Sequence, residues 1–210
     1  MPVCMKSYIA AFVWMLAATS SGSAREPEIA IKDLSVEQRF MARLAALPSA
    51  LAVSAWADRA DTTYAAGDAV TLFVKPNRDA YITVLDVGTS GRVTVLFPNA
   101  AQPDSRVVAH RTIRIGAAVG GYRLRVHGPI GREVIKVIAT DKPLDLVAFN
   151  DSDAVGPFRV LRADGAVIVD RISTRLVRDQ AGDAAMTTVV LRLVARSSKS
   201  SSRPATVDGA

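Results

Sequence analysis

Three runs decide the fold: Val70-Thr71-Leu72-Phe73-Val74, then Tyr81-Ile82-Thr83-Val84-Leu85, then Val93-Thr94-Val95-Leu96-Phe97. Val70, Leu72 and Val74 share one parity, as do Tyr81, Thr83 and Leu85, and Val93, Val95 and Phe97. A period of two is that of strands with one buried face. Pro76-Asn77 and the Gly88 to Gly91 loop lie between the runs and suit turns. Working outward, Tyr122, Leu124 and Val126 repeat the pattern, followed by Glu133 to Ala139, Leu144 to Phe149, Phe158 to Leu161, Ala166 to Asp170 and Thr187 to Val194. Gly67-Asp68, Pro98-Asn99, Gly120-Gly121, Gly128 to Gly131 and Asp164-Gly165 punctuate them. With no helical period between strands, the chain is expected to be mainly β: an antiparallel β-sandwich, immunoglobulin-like.

One N-terminal helix precedes the strands. Ser35 and Gln38 have capping-box spacing, and Val36, Phe40, Leu44 and Leu47 recur at helical intervals before Pro48. Asn150 to Pro157 is polar and glycine-bearing, as a surface loop is. Arg178 to Ala185 is a second polar break, and Arg196 to Ala210 is a Ser-rich stretch without periodicity, expected to be a disordered tail. The expected organisation is a signal peptide over 1–24, an extension carrying the helix over 25–50, a β-sandwich over 51–195 and the tail over 196–210.

The signal peptide rests on Lys6, the apolar run from Tyr8 to Ala18, and the small residues Gly22 and Ala24 before Arg25. The run is shorter than the ~20 residues a membrane helix needs. Cleavage after Ala24 predicts a periplasmic or secreted protein with no transmembrane helix. It also removes Cys4, the single cysteine. Disulfides, thiol catalysis and zinc-thiolate sites are thereby excluded from the mature chain. The formal charge is +6, but the arginines alternate with apolar residues, as Arg123 and Arg125 do around Leu124. That is the solvated face of a strand, so no nucleic-acid partner is expected. An envelope protein or an anionic envelope polymer fits the charge better.

No catalytic motif stands out. Ser90 lies in Gly88-Thr89-Ser90-Gly91, which lacks the spacing of a nucleophile elbow, and the two histidines, His110 and His127, have no sequence-adjacent partner. No cofactor or metal is expected. Asp58, Asp61 and Asp68 form the densest acidic set. They could serve as paired carboxylates of a hydrolase, or simply satisfy turn backbone with Arg59 beside them.

Trp56, Asp58, Arg59, Asp61, Tyr64, Gly67 and Asp68, followed by Gly91 and by Leu96-Phe97-Pro98-Asn99, form an order more particular than composition. This order resembles a bacterial domain-of-unknown-function family, number 4384, over about Val53 to Val194. Members of that family show a Trp-x-Asp-Arg-like start, a Tyr-x-x-Gly-Asp turn and a Leu-Phe-Pro-Asn motif. The resemblance implies an exported, β-rich accessory domain and supplies no activity or role for those residues. The expected function is a non-enzymatic binding or interaction module of the cell envelope, with the loops at Pro98-Asn99 and Gly128 to Gly131 as candidate contacts. The alternative is an envelope glycan-binding protein or a hydrolase using Asp58, Asp61 or Asp68.

Overall fold

The computed structural model describes residues 33–118, 121–147, 152–178 and 182–196. The signal peptide, Phe149 and the tail beyond Arg196 lie outside them. In chain order the elements are α1 (Val36–Arg43), β1 (Val53–Ala57), β2 (Thr63–Ala65), β3 (Leu72–Pro76), β4 (Ala80–Val87), β5 (Val93–Phe97), β6 (Arg106–Val107), β7 (Ile113–Ile115), β8 (Gly131–Thr140), β9 (Ser152–Val155), β10 (Phe158–Leu161), α2 (Gly165–Arg178) and β11 (Ala184–Val194).

The chain is mainly β. An eight-stranded sheet runs β2-β11-β8-β4-β5-β10-β9, with β6 paired to β4, and a three-stranded sheet runs β1-β3-β7. All described pairings are antiparallel except β11 with β2. An eight-plus-three division differs from the four-plus-three division of a constant-type immunoglobulin sandwich. Two cores lie on opposite faces of the large sheet. Ile82, Val84, Ile135, Val137 and Leu191 join Leu72, Val74 and Ile115 of the small sheet. On the other face, Leu85, Val87, Val134 and Ile138 meet Met41, Ile168 and Ile172 of the helices. The central strands are therefore buried on both faces, and Tyr81-Thr83-Leu85 is not the single buried face expected from sequence. Covering both faces by helices and a second sheet explains this.

The segment Ala166 to Asp170 is the start of α2, not a strand. Its β-branched residues mislead over five positions, but Ile168, Ile172 and Leu176 recur every four residues and pack into the helical core. Asp164 accepts the Val167 amide at 2.9 Å and caps the helix. The expected loop before Pro157 is partly β9, which pairs with β10 around Gly156. Tyr122 to Val126 makes only single bridges, Arg123 to Ala117 and Arg125 to Ala69. Leu144 to Val147 forms no strand, though Leu146 and Val147 are buried.

Helix α1 has its capping box: the Gln38 amide donates to Ser35 Oγ at 3.2 Å, and the Ser35 amide to Gln38 Oε1 at 3.0 Å. Its buried face is not the expected stripe. Of that stripe Leu44 is buried, but Val36, Phe40 and Leu47 are exposed, whereas Gln38 and Met41 are buried. Gln38 sets this rotation, because its Nε2 donates to the carbonyls of Val87, Gly88 and Arg132 at the β4 and β8 ends. Among the described residues, no helix is long and apolar enough to cross a membrane.

Candidate functional site

The acidic set and its aromatic neighbours form a joint between strands. Tyr64 is fully buried and its hydroxyl donates to Asp58 Oδ1 at 2.6 Å; that oxygen also accepts the Thr71 amide at 3.1 Å. Arg59 donates to Asp68 at 2.9 Å and to the Thr63 carbonyl at 2.8 Å, with its guanidinium 4.5 Å from the Tyr64 ring centre. Asp68 also accepts the Ala65 amide at 3.1 Å. That amide bond first, then Arg59, holds its carboxyl below the ordinary range. Asp61 accepts the Thr63 amide at 3.2 Å, closing an Asx turn. Gly67 adopts φ +87°, and its amide reaches the Val126 carbonyl at 2.9 Å. Trp56 stacks on Phe73 at 5.5 Å and remains 41% exposed. Each aspartate thus holds turn or strand backbone, and Arg59 links two of the turns.

Leu96, Phe97, Pro98 and Asn99 stand elsewhere, at the end of β5. Asn99 Nδ2 donates to the Leu96 carbonyl at 2.8 Å and to the Tyr122 hydroxyl at 3.0 Å, while its Oδ1 accepts the amides of Ala101 and Gln102. The Tyr122 hydroxyl donates to Gln102 Oε1 at 2.6 Å, and the Tyr122 ring meets Phe158 edge-on at 5.4 Å. This network ties the chain around Tyr122 to the turn before β10.

Between those two tied segments lies a cavity of about 360 Å³. The register builds its floor on the large sheet. Asp86 is opposite Thr94 on one side and Ile135 on the other; Thr94 is opposite Val160, and Glu133 is opposite Leu191. Residues opposite each other, and residues two apart on one strand, share a face. Leu124 and Val126 form the roof, with Arg123, Arg125 and His127 exposed at its rim and the Val155 to Phe158 turn as one wall. No residue of β1, β3 or β7 lines it. It sits on the small-sheet face of the large sheet, where the roof is irregular chain.

The floor carries two carboxyls amid apolar side chains. Asp86 keeps slight exposure, yet its Oδ1 is shut off from solvent and has no hydrogen-bond partner. Glu133 is 5% exposed. Burial first, and the charge of Glu133 second, raise the Asp86 carboxyl well above the ordinary range; burial pushes Glu133 up to about 7. Among the described residues no three of His, Cys, Asp and Glu converge as a metal-binding set.

Residues 63–143 match the family model described as "Domain of unknown function (DUF4384)". The family resemblance drawn from the motif order is supported over that segment. The matched segment supplies Asp86, Thr94, Glu133 and the roof, while the β9–β10 turn and Leu191 are added by the later chain. Trp56, Asp58, Arg59 and Asp61 precede the matched residues. Comparison with curated proteins and with solved structures found no match.

Sequence reasoning missed Asp86 and Glu133. The available signal was a carboxylate inside a run of otherwise apolar strand residues, Val84-Leu85-Asp86-Val87 and Glu133-Val134-Ile135. A buried charge there costs free energy unless something compensates it.

Proposed function

We propose that this chain is an exported, non-enzymatic binding domain whose site is the cavity above Asp86 and Glu133. The observation that carries the reading is a pair of carboxyls, Asp86 and Glu133, that line one cavity and have no basic partner among the described residues. Concave apolar sites with a few convergent polar groups are the usual form of a ligand pocket. Binding is favoured over glycoside hydrolysis because the two carboxyls stand on adjacent strands of one wall. A glycosidase pair flanks the scissile bond. Export is supported by Lys6, the Tyr8 to Ala18 run and the small residues before Arg25.

The test is recovery of a bound compound. The chain is incubated with soluble envelope extract, washed and denatured, and the released small molecules are identified by mass spectrometry beside those from a cavity-filled Val160→Trp variant. A compound enriched on the wild-type chain and lost from the variant supports the reading. Equal recovery from both, no recovery from either, or recovery only of a chemically altered product contradicts it. Export is checked by the mature N-terminus: Arg25 outside the cytoplasm is expected, and an unprocessed Met1 in the cytoplasm contradicts it.

A further inference from the structure

We propose that the cavity takes a small amphipathic amine, its ammonium received by Asp86 and Glu133 and its apolar body lodged against Leu124, Val126 and Phe158. This rests on the binding reading above and names the ligand class for the same site.

The argument is one of charge and partners. Ionised carboxylates out of water need a positive partner or a proton. Among the described residues, no hydrogen bond or ion pair joins a basic side chain to Asp86 or Glu133. Arg125 at the rim donates instead to the Gly67 carbonyl at 2.7 Å. Without a bound cation the compensating charge is therefore a proton, consistent with the raised carboxyls. A ligand ammonium can replace that proton and bridge the carboxyl pair lining the cavity, in charge-assisted hydrogen bonds. Apart from Thr94 and the rim residues Arg123, Arg125 and His127, the remaining lining is apolar, so the ligand needs an apolar body; about 360 Å³ lies at the small end of ligand pockets and limits its size.

A direction of pH dependence follows. The charged or titratable groups facing the site are Asp86 from β4, Glu133 from β8, and Arg123, Arg125 and His127 from the roof; β5, β10 and β11 contribute Thr94, Val160 and Leu191. An amine that stays protonated displaces a proton from the carboxyl pair, so its affinity rises with pH up to and through about 7. A His127→Asn variant tests whether the imidazole at the rim contributes.

The experiment is calorimetric titration of the full chain with 2-phenylethylamine, 2-phenylethanol and 3-phenylpropionate at pH 5.5 and 8. The amine is expected to bind at least about tenfold more tightly than the alcohol at pH 8, the scale of a charge-assisted hydrogen bond. Its advantage should shrink at pH 5.5, in wild type and in His127→Asn alike. Asp86→Asn and Glu133→Gln, near-isosteric changes whose folding is checked by thermal melting, should remove most of that advantage. Equal binding of amine and alcohol, or tightest binding of 3-phenylpropionate, overturns the amine inference and leaves the cavity reading standing. Failure of all three probes to bind at either pH overturns both.

Discussion

Asp86 on β4 and Glu133 on β8 share one face of the large sheet as diagonal neighbours: Asp86 is opposite Ile135, and Glu133 lies two residues along from it. Diagonal pairs have Cα atoms about 7–8 Å apart, close enough for long side chains to interact. Neither carboxyl has a basic partner among the described residues; burial makes both harder to ionise, and the charge of Glu133 adds to this at Asp86. The pair is a destabilising feature of the fold at neutral pH, and it floors the cavity.

Stability should therefore fall as pH rises from 5 to 8. Both carboxyls are raised on folding, so the native state holds more protons than the unfolded chain between the ordinary carboxylate range and about 7. Asp68 and Asp153 are lowered instead, and the stability they contribute is lost only in more acidic solution. Urea denaturation at the two pH values measures the slope. Asp86→Asn or Glu133→Gln should flatten it and raise stability at pH 8 by on the order of 1–3 kcal/mol. A wild-type chain more stable at pH 8 than at pH 5 would contradict the burial of the pair.

The cavity roof depends on Gly116. It adopts φ +90°, and a Cβ there would stand 2.5 Å from Leu124 Cβ and 2.7 Å from the Val70 carbonyl oxygen. Gly116→Ala should cost roughly 2–4 kcal/mol, combining backbone strain with overpacking. Gly121 also has positive φ, +80°, but nothing lies within 4 Å of its added Cβ. Gly121→Ala should cost only about 1 kcal/mol. Equal costs in denaturant melts would show that Leu124 is not held against that backbone.

Gln38 anchors α1 by a polar rather than an apolar contact. Gln38→Leu keeps the volume but leaves the carbonyls of Val87, Gly88 and Arg132 without the amide. A loss of roughly 2–3 kcal/mol is expected, with faster amide exchange in α1 than in the β8 core. Unchanged exchange in α1 would mean that Met41 and Leu44 alone hold the helix.

In the aspartate joint, Tyr64→Phe removes the 2.6 Å bond to Asp58 and the acceptor of the Arg59 amide. Stability should drop by about 1–2 kcal/mol, with ligand recovery from the cavity unaffected. Loss of ligand binding without loss of stability would move the functional site to the aspartates.

The strands at Val93–Phe97 and Glu133–Ala139 were legible because apolar runs bounded by glycine and proline turns mark strands whatever covers them. Which face they bury was less legible: Ile82 and Leu85 on one strand enter opposite cores, a consequence of the helical layer. That layer was hidden in turn, because Val167, Ile168 and Val169 are β-branched and the four-residue repeat of Ile168, Ile172 and Leu176 shows only over a longer window. The aspartate motif is visible in the sequence, and turn chemistry is one of the roles its residue types allow. The cavity was not visible, since it arises where Leu124 and Val126, in irregular chain, meet a hairpin turn from a distant part of the sequence.

The most direct test of the binding cavity is amide and side-chain chemical-shift mapping of the chain during titration with 2-phenylethylamine at pH 8. Shifts concentrated at Asp86, Thr94, Glu133, Leu124 and Phe158, saturating together, are the predicted result. Shifts concentrated instead at Trp56, Asp58, Asp61 and Asp68, with the cavity residues unmoved, would contradict it.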